Sequence, residues 1–243
     1  MIQLRQPHSH DYTALPDIDA TDAGLLTADD FACLAEVGRC LVEQRANHRF
    51  GMTLLHSHFP ILDDEILLEE TQLDRQTVNL RPTKGAREGL AVTSLCFDVA
   101  TAGLGLVGLE FVHASSLGSV PLLADEDAGV LGQVHTILQQ RAMLERFGVR
   151  LLHDALGLQD RVLLETCDTA RRLLTCTTTL EDDLAFVNAI PTLFQWDLAP
   201  TDNGPITSQG CMQFCRNVRK CIRSRGGHEA GGTSHESSHD DRF

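Results

Sequence analysis

Arg49-Phe50-Gly51-Met52-Thr53-Leu54-Leu55-His56 returns later in the chain as Arg146-Phe147-Gly148-Val149-Arg150-Leu151-Leu152-His153. Extended backwards without a gap, Leu26–His56 aligns with Leu123–His153 at 11 identical positions: Leu26, Asp30, Leu34, Val37, Leu41, Arg49, Phe50, Gly51, Leu54, Leu55 and His56. Residue frequencies of a few per cent give roughly two such matches by chance. The match continues past the histidine. Ile66-Leu67-Leu68-Glu69 meets Val162-Leu163-Leu164-Glu165 after one deletion, and Arg75 meets Arg171. Thr93 and Phe97-Asp98-Val99-Ala100 meet Thr192 and Trp196-Asp197-Leu198-Ala199, and more weakly Glu110-Phe111-Val112-His113 meets Gln213-Phe214-Cys215-Arg216. A unit of about one hundred residues, present twice, points to a pseudo-two-fold pair rather than a solenoid.

Within a unit the pattern changes from helix to strand. Thr27 followed by Asp29 and Asp30 has the form of a helix N-terminus. Leu34, Val37 and Leu41 then fall on one helical face, as do Leu131, Val134 and Leu138. These spacings predict helices to about Ala46 and over about Asp125–Glu145. The Phe-Gly that follows opens an alternating strand in which Phe50, Met52, Leu54, His56 and His58 share a face. Further strands are expected over Glu65–Thr71, Gln76–Leu80, Gly89–Phe97 and Leu106–His113, with counterparts in the second unit, and a short helix over Leu180–Asn188. The fold expected from this order is α+β: two tandem duplicated modules, each a helix packed on an antiparallel sheet. The boundaries are a flexible arm over 1–25, module 1 over 26–122, a degenerate module 2 over 123–223, and a disordered tail over 224–243.

Composition narrows the function classes. Of 243 residues, 42% are hydrophobic and 22% charged, as in an ordinary globular protein, and the net charge is −14. That acidity disfavours nucleic acid and anionic membrane as partners. With one Trp and one Tyr, the composition argues against a base-stacking platform. Met1–Pro16 has no apolar signal region and no run reaches the length of a membrane span, so a cytoplasmic protein is expected. In that setting the eight cysteines are read as thiols.

Three constellations could carry chemistry. His56-Ser57-His58 presents two imidazoles at alternate positions, which suits a divalent metal if a carboxylate completes the set. Glu65, Glu69, Glu70, Glu110 and a further imidazole, His113, are the available partners; the named metal candidates are His56, His58, Glu69, Glu110 and His113. The bland alternative is a hydrogen-bonded structural His56 beside Arg49 or Glu69. The second unit keeps His153 but has Asp154-Ala155 after it, so any metal site belongs to the first unit. The second constellation is Gly103-Leu104-Gly105-Leu106-Val107-Gly108 with Asp125 downstream. It matches the dinucleotide fingerprint and is similar to the nicotinamide-dinucleotide segment of flavin disulfide reductases, which would imply NAD(P) oxidoreductase chemistry with Gly103, Gly105, Gly108 and Asp125 as cofactor contacts. Pro121 and the repeat both oppose it. The third is Cys211, Cys215 and Cys221, which with His228 would make a zinc set of unusual spacing.

Arg49-Phe50-Gly51-x-x-Leu54-Leu55-His56-x-His58-Phe59, followed by Glu65 and Glu69, resembles uncharacterised proteins of filamentous fungi over about residues 45–71. The resemblance implies no activity. The function expected is a binding or accessory protein that takes a small molecule or a protein ligand in the groove between its two modules. The alternatives are a metal-dependent enzyme built on His56 and His58 and, third, the dinucleotide reading.

Overall fold

The structure is a computed structural model, and it describes residues 1–18, 25–85, 88–101, 103–118, 120–153, 156–158, 161–180, 189–201 and 204–216. The two long helices form where the sequence pattern puts them. α1 (Ser9–Thr13) is short; α2 runs Ala28–Glu43 and α3 runs Ala128–Gln140. Thr27 Oγ1 accepts from the Asp30 amide at 3.2 Å, and the Asp30 carboxylate accepts from the Thr27 amide at 2.7 Å, closing a capping box. Both helices stop at a residue in the left-handed region, Arg45 (φ 56°) and Ala142 (φ 56°). The amides of Ala46 and Met143 then reach back to the carbonyls of Leu41 and Leu138, each at 2.8 Å, which satisfies the helix ends. Leu34, Val37, Leu131, Val134 and Leu138 are fully buried and Leu41 nearly so. Leu34→Ala or Leu131→Ala should each cost about 2–5 kcal/mol, read by chemical denaturation; a loss below that in both would mean these faces are not core.

The sheet overturns the α+β expectation. The strands are β1 (Gln3–Arg5), β2 (Phe50–Leu54), β3 (Glu65–Gln72), β4 (Thr77–Lys84), β5 (Leu90–Phe97) and β6 (Gly105–His113). They continue as β7 (Phe147–Leu151), β8 (Arg161–Asp168), β9 (Leu173–Leu180), β10 (Ala189–Thr201) and β11 (Gly204–Arg216). Their order is β6-β3-β4-β9-β8-β11-β10-β2-β7-β5, and β5 pairs back with β6, so ten strands close a barrel. β1 adds to β6 in parallel. The chain is therefore a closed β-barrel with few helices, not two helix-on-sheet modules. Among the described residues β2 pairs with β7 and β10, and β7 with β2 and β5. The leading strand of each repeat thus sits among strands of the other. The sequence pattern specifies which face of a strand is buried, not which strand lies beside it.

This exchange explains the identities that recur. The Arg49 guanidinium donates to Asp127 at 2.9 and 2.6 Å and to the carbonyls of Pro121 and Leu122. Reciprocally, Arg146 donates to Asp30 at 2.5 and 2.9 Å and to the Leu25 carbonyl. The amide of Leu55 donates to the Arg146 carbonyl and that of Leu152 to the Arg49 carbonyl, both at 2.9 Å. Each repeated Asp therefore binds the other repeat's Arg. The glycines are equally constrained. A Cβ on Gly51 would lie 2.7 Å from the Phe194 carbonyl oxygen, and one on Gly148 would strike the Leu95 carbonyl oxygen.

Residues 1–18 of the expected flexible arm carry β1 and α1 and are tied to the rest of the chain. Arg5 bonds Asp11 at 2.6 Å and Asp98 at 3.1 Å, and Tyr12 is buried. The expected helix over Leu180–Asn188 and the expected tail over 224–243 fall outside the described residues apart from Leu180, which ends β9. No helix among the described residues is long and apolar enough to cross a membrane.

Candidate metal centre inside the barrel

β2 ends at Leu54, so the alternation that would have put His56 on the helix-facing side with Phe50 and Met52 does not reach it. The chain turns instead into the barrel. The N-terminal segment holds it there: the Ser57 amide donates to the Pro16 carbonyl at 3.0 Å, the Ser57 hydroxyl to the Leu15 carbonyl at 2.9 Å, and the His58 amide to the Tyr12 hydroxyl oxygen at 3.2 Å. Both imidazoles then converge on Glu165, which β8 brings from the second repeat. His56 Nε2 is 3.2 Å and His58 Nε2 3.0 Å from the same oxygen, Glu165 Oε2, and the two Nε2 atoms are 3.0 Å apart. Cys215, on β11 beside Glu165 in register, completes a group whose four ligand atoms all lie within 4.8 Å of one another.

The surroundings orient these atoms. His56 Nδ1 lies 2.7 Å from the Leu54 carbonyl; donating there fixes the ring with Nε2 turned to Glu165. Glu165 Oε1 accepts from the Thr192 hydroxyl at 2.7 Å and from Gln213 Nε2 at 2.6 Å, so Oε2 is left for the histidines. Burial alone would raise the Glu165 carboxyl and lower the His56 imidazolium. The charges and hydrogen bonds between them outweigh it, holding Glu165 well below the carboxylate range and raising His56. Two imidazoles, a carboxylate and a thiol are all ligands of zinc-like ions, and a divalent cation would balance a carboxylate and a thiolate in this buried place.

The sequence named the two histidines but not their partners. Glu69 is turned to Arg150, whose Nη2 donates to it at 2.6 Å, and lies 3.1 Å from His153 Nε2 without the alignment of a hydrogen bond. Glu110 is the other partner of Arg150, and His113 is exposed at the end of β6. None of the three joins His56. The carboxylate that the sequence reading did not name, Glu165, is the repeat equivalent of Glu69, and His56 that of His153. Each carboxylate meets the histidine of the opposite repeat because the leading strands are exchanged. Thr192, Gln213 and Cys215 also stood in the repeat alignment, opposite Thr93, Glu110 and Val112.

The Glu69 side of the interior titrates with the fold. Burial would raise the Glu69 carboxyl, but Arg150 and His153 lower it below its ordinary 4.5. A depressed carboxyl stabilises the folded state above its unfolded pKa and loses that contribution as pH falls through the folded value. Glu65 beside Arg172 and Asp30 beside Arg146 shift the same way. The melting temperature should therefore fall steadily on acidification below about pH 4.5; a flat profile to pH 3 would contradict these pairings.

The dinucleotide pattern is not built. Gly105 and Gly108 lie in β6, an antiparallel partner of β5, so no helix start follows the glycines. Gly103 has φ 96° in the turn before it, and a Cβ on Gly108 would lie 2.7 Å from the Phe111 ring. Asp125 accepts from the Ile2 amide at 2.9 Å. Cys221 and His228 of the third constellation fall outside the described residues. No protein-family model, curated protein or solved structure matches the chain.

Proposed function

We propose that this protein is a metal-binding barrel in which His56, His58 and Glu165 hold a divalent ion with Cys215 as a fourth ligand. The observation that carries the reading is the convergence of two Nε2 atoms on one carboxylate oxygen at 3.0 and 3.2 Å, each second atom already engaged or buried. Such an ion would polarise a carbonyl or activate a water molecule, so the activity that fits is metal-dependent enzymatic chemistry. A cytoplasmic setting suits a thiolate ligand and the thiols Cys33, Cys40, Cys96, Cys167 and Cys176. Elemental analysis of tag-free protein should find about one ion per chain, retained when residues 224–243 and their histidines are deleted and lost in Glu165→Gln and His56→Ala/His58→Ala. Absence of metal from zinc-incubated wild type, or its retention in those variants, would overturn the proposal.

The binding-protein reading stands beside it because an open cavity of about 540 Å³ is lined by the strand residues Val78, Leu80, Leu163 and Leu193. With the repeats interleaved, the ligand site lies within the barrel rather than in a groove between modules.

A further inference from the structure

The repeat that builds the metal centre also builds a counterpart to it. His153 is the equivalent of His56 and Glu69 that of Glu165. The two pairs have the same spacing: His153 Nε2 lies 3.1 Å from Glu69 Oε1, and His56 Nε2 lies 3.2 Å from Glu165 Oε2. The His153 side chain is 7% exposed, and neither of its ring nitrogens makes a hydrogen bond. Thr93, the equivalent of Thr192, is buried with its hydroxyl in no hydrogen bond, whereas Thr192 donates to Glu165 at 2.7 Å. Glu110 stands where the other repeat has Gln213, so this side carries a second carboxylate in place of an amide. The decisive difference is at position 150, where the gapless alignment sets Arg150 opposite Thr53. The Arg150 guanidinium donates to Glu69 at 2.6 Å and also to Glu110. It thus supplies the positive charge that lets a carboxylate stay ionised inside a protein, which is what a divalent ion does in a metal site. Two carboxylates and an imidazole are themselves a ligand set for such an ion.

We propose that Glu69, Glu110 and His153 form a second, repeat-related divalent-cation site that the chain fills with its own Arg150 guanidinium, so that the protein takes one ion rather than two. The assignment extends the metal reading of the first centre and can fail separately from it. The experiment uses full-length protein in the Glu165→Gln background, which removes a ligand of the first centre. After incubation with zinc and dialysis, Glu165→Gln should retain no ion. Glu165→Gln/Arg150→Thr, which carries the first repeat's residue at this position, should retain about one, and adding Glu69→Gln should abolish that gain. Zinc should also raise the melting temperature of Glu165→Gln/Arg150→Thr, because the ion restores the lost charge, and leave that of Glu165→Gln unchanged. Glu165→Gln/Arg150→Gln, which removes the charge but keeps a donor for the carboxylates, should gain the ion in the same way and guards against a folding defect peculiar to threonine. No ion gained by either Arg150 variant, failure of both to fold in zinc, or a gain that survives Glu69→Gln would overturn the assignment. Ion retained by Glu165→Gln alone would count against the first centre instead, and the gain on replacing Arg150 would still decide the second.

Discussion

Arg150→Met should cost about 3–5 kcal/mol of stability, the range seen when one partner of a buried ion pair is removed. Arg150 is the cation that both Glu69 and Glu110 share, and Glu69 is 2% exposed. Without the guanidinium, Glu69 keeps its burial and loses the first of the two groups that lower its carboxyl pKa. It should then take up a proton on folding, so the variant's stability should improve, not decline, as pH falls from 7 toward 5. Adding Glu69→Leu to Arg150→Met should recover much of the loss, because an apolar residue needs no counter-charge. Urea denaturation of the single and double variants at two pH values measures all of this. A single-variant loss under about 1 kcal/mol would show that the pair behaves as an exposed one.

Gly148→Val should be similarly severe, at about 3 kcal/mol or more. The added Cβ would strike the Leu95 carbonyl, a backbone atom that cannot swing aside. Leu95 and Ser94 are the β5 residues that pair with Val149 and Arg150 of β7, and this contact is one of the seams that close the barrel. Gly132→Ala is the matched control. It lies within α3 with nothing near its absent Cβ, so helix propensity alone should stabilise it, by up to about 1 kcal/mol. Thermal melts of the two variants that moved in the same direction would contradict the seam.

The local elements were legible in the sequence and their assembly was not. The capping box at Thr27 and Asp30 and the stripe Leu34, Val37, Leu41 are local signals with one physical reading. The repeat likewise announced a pseudo-two-fold. What it could not announce was that Phe50–Leu54 would pair with Phe147–Leu151 and with β10 of the other repeat. An alternating strand buries the same face whichever neighbour it has. That one ambiguity turned a barrel into two imagined modules and kept Glu165 out of the candidates placed beside His56. With the exchange in place, the recurring Asp30, Arg49, Gly51 and His56 are seen to make contacts across the pseudo-two-fold, and Glu165 falls opposite His56. The glycine fingerprint failed for a different reason: Gly105 and Gly108 fit crowded positions within an antiparallel strand, against Thr101 and Phe111, and the motif alone cannot distinguish that use from a phosphate turn.

The central claim is that two histidines of one repeat and a glutamate and cysteine of the other meet on one ion. Cobalt(II) titration of metal-stripped protein tests it most directly, because the visible spectrum reports tetrahedral coordination and the near-ultraviolet reports a sulfur ligand. One equivalent should develop intense visible bands with a thiolate charge-transfer band, the latter lost in Cys215→Ser and both lost in Glu165→Gln. A spectrum of hexa-aquo cobalt throughout the titration, or one unaltered by Glu165→Gln, would contradict the account.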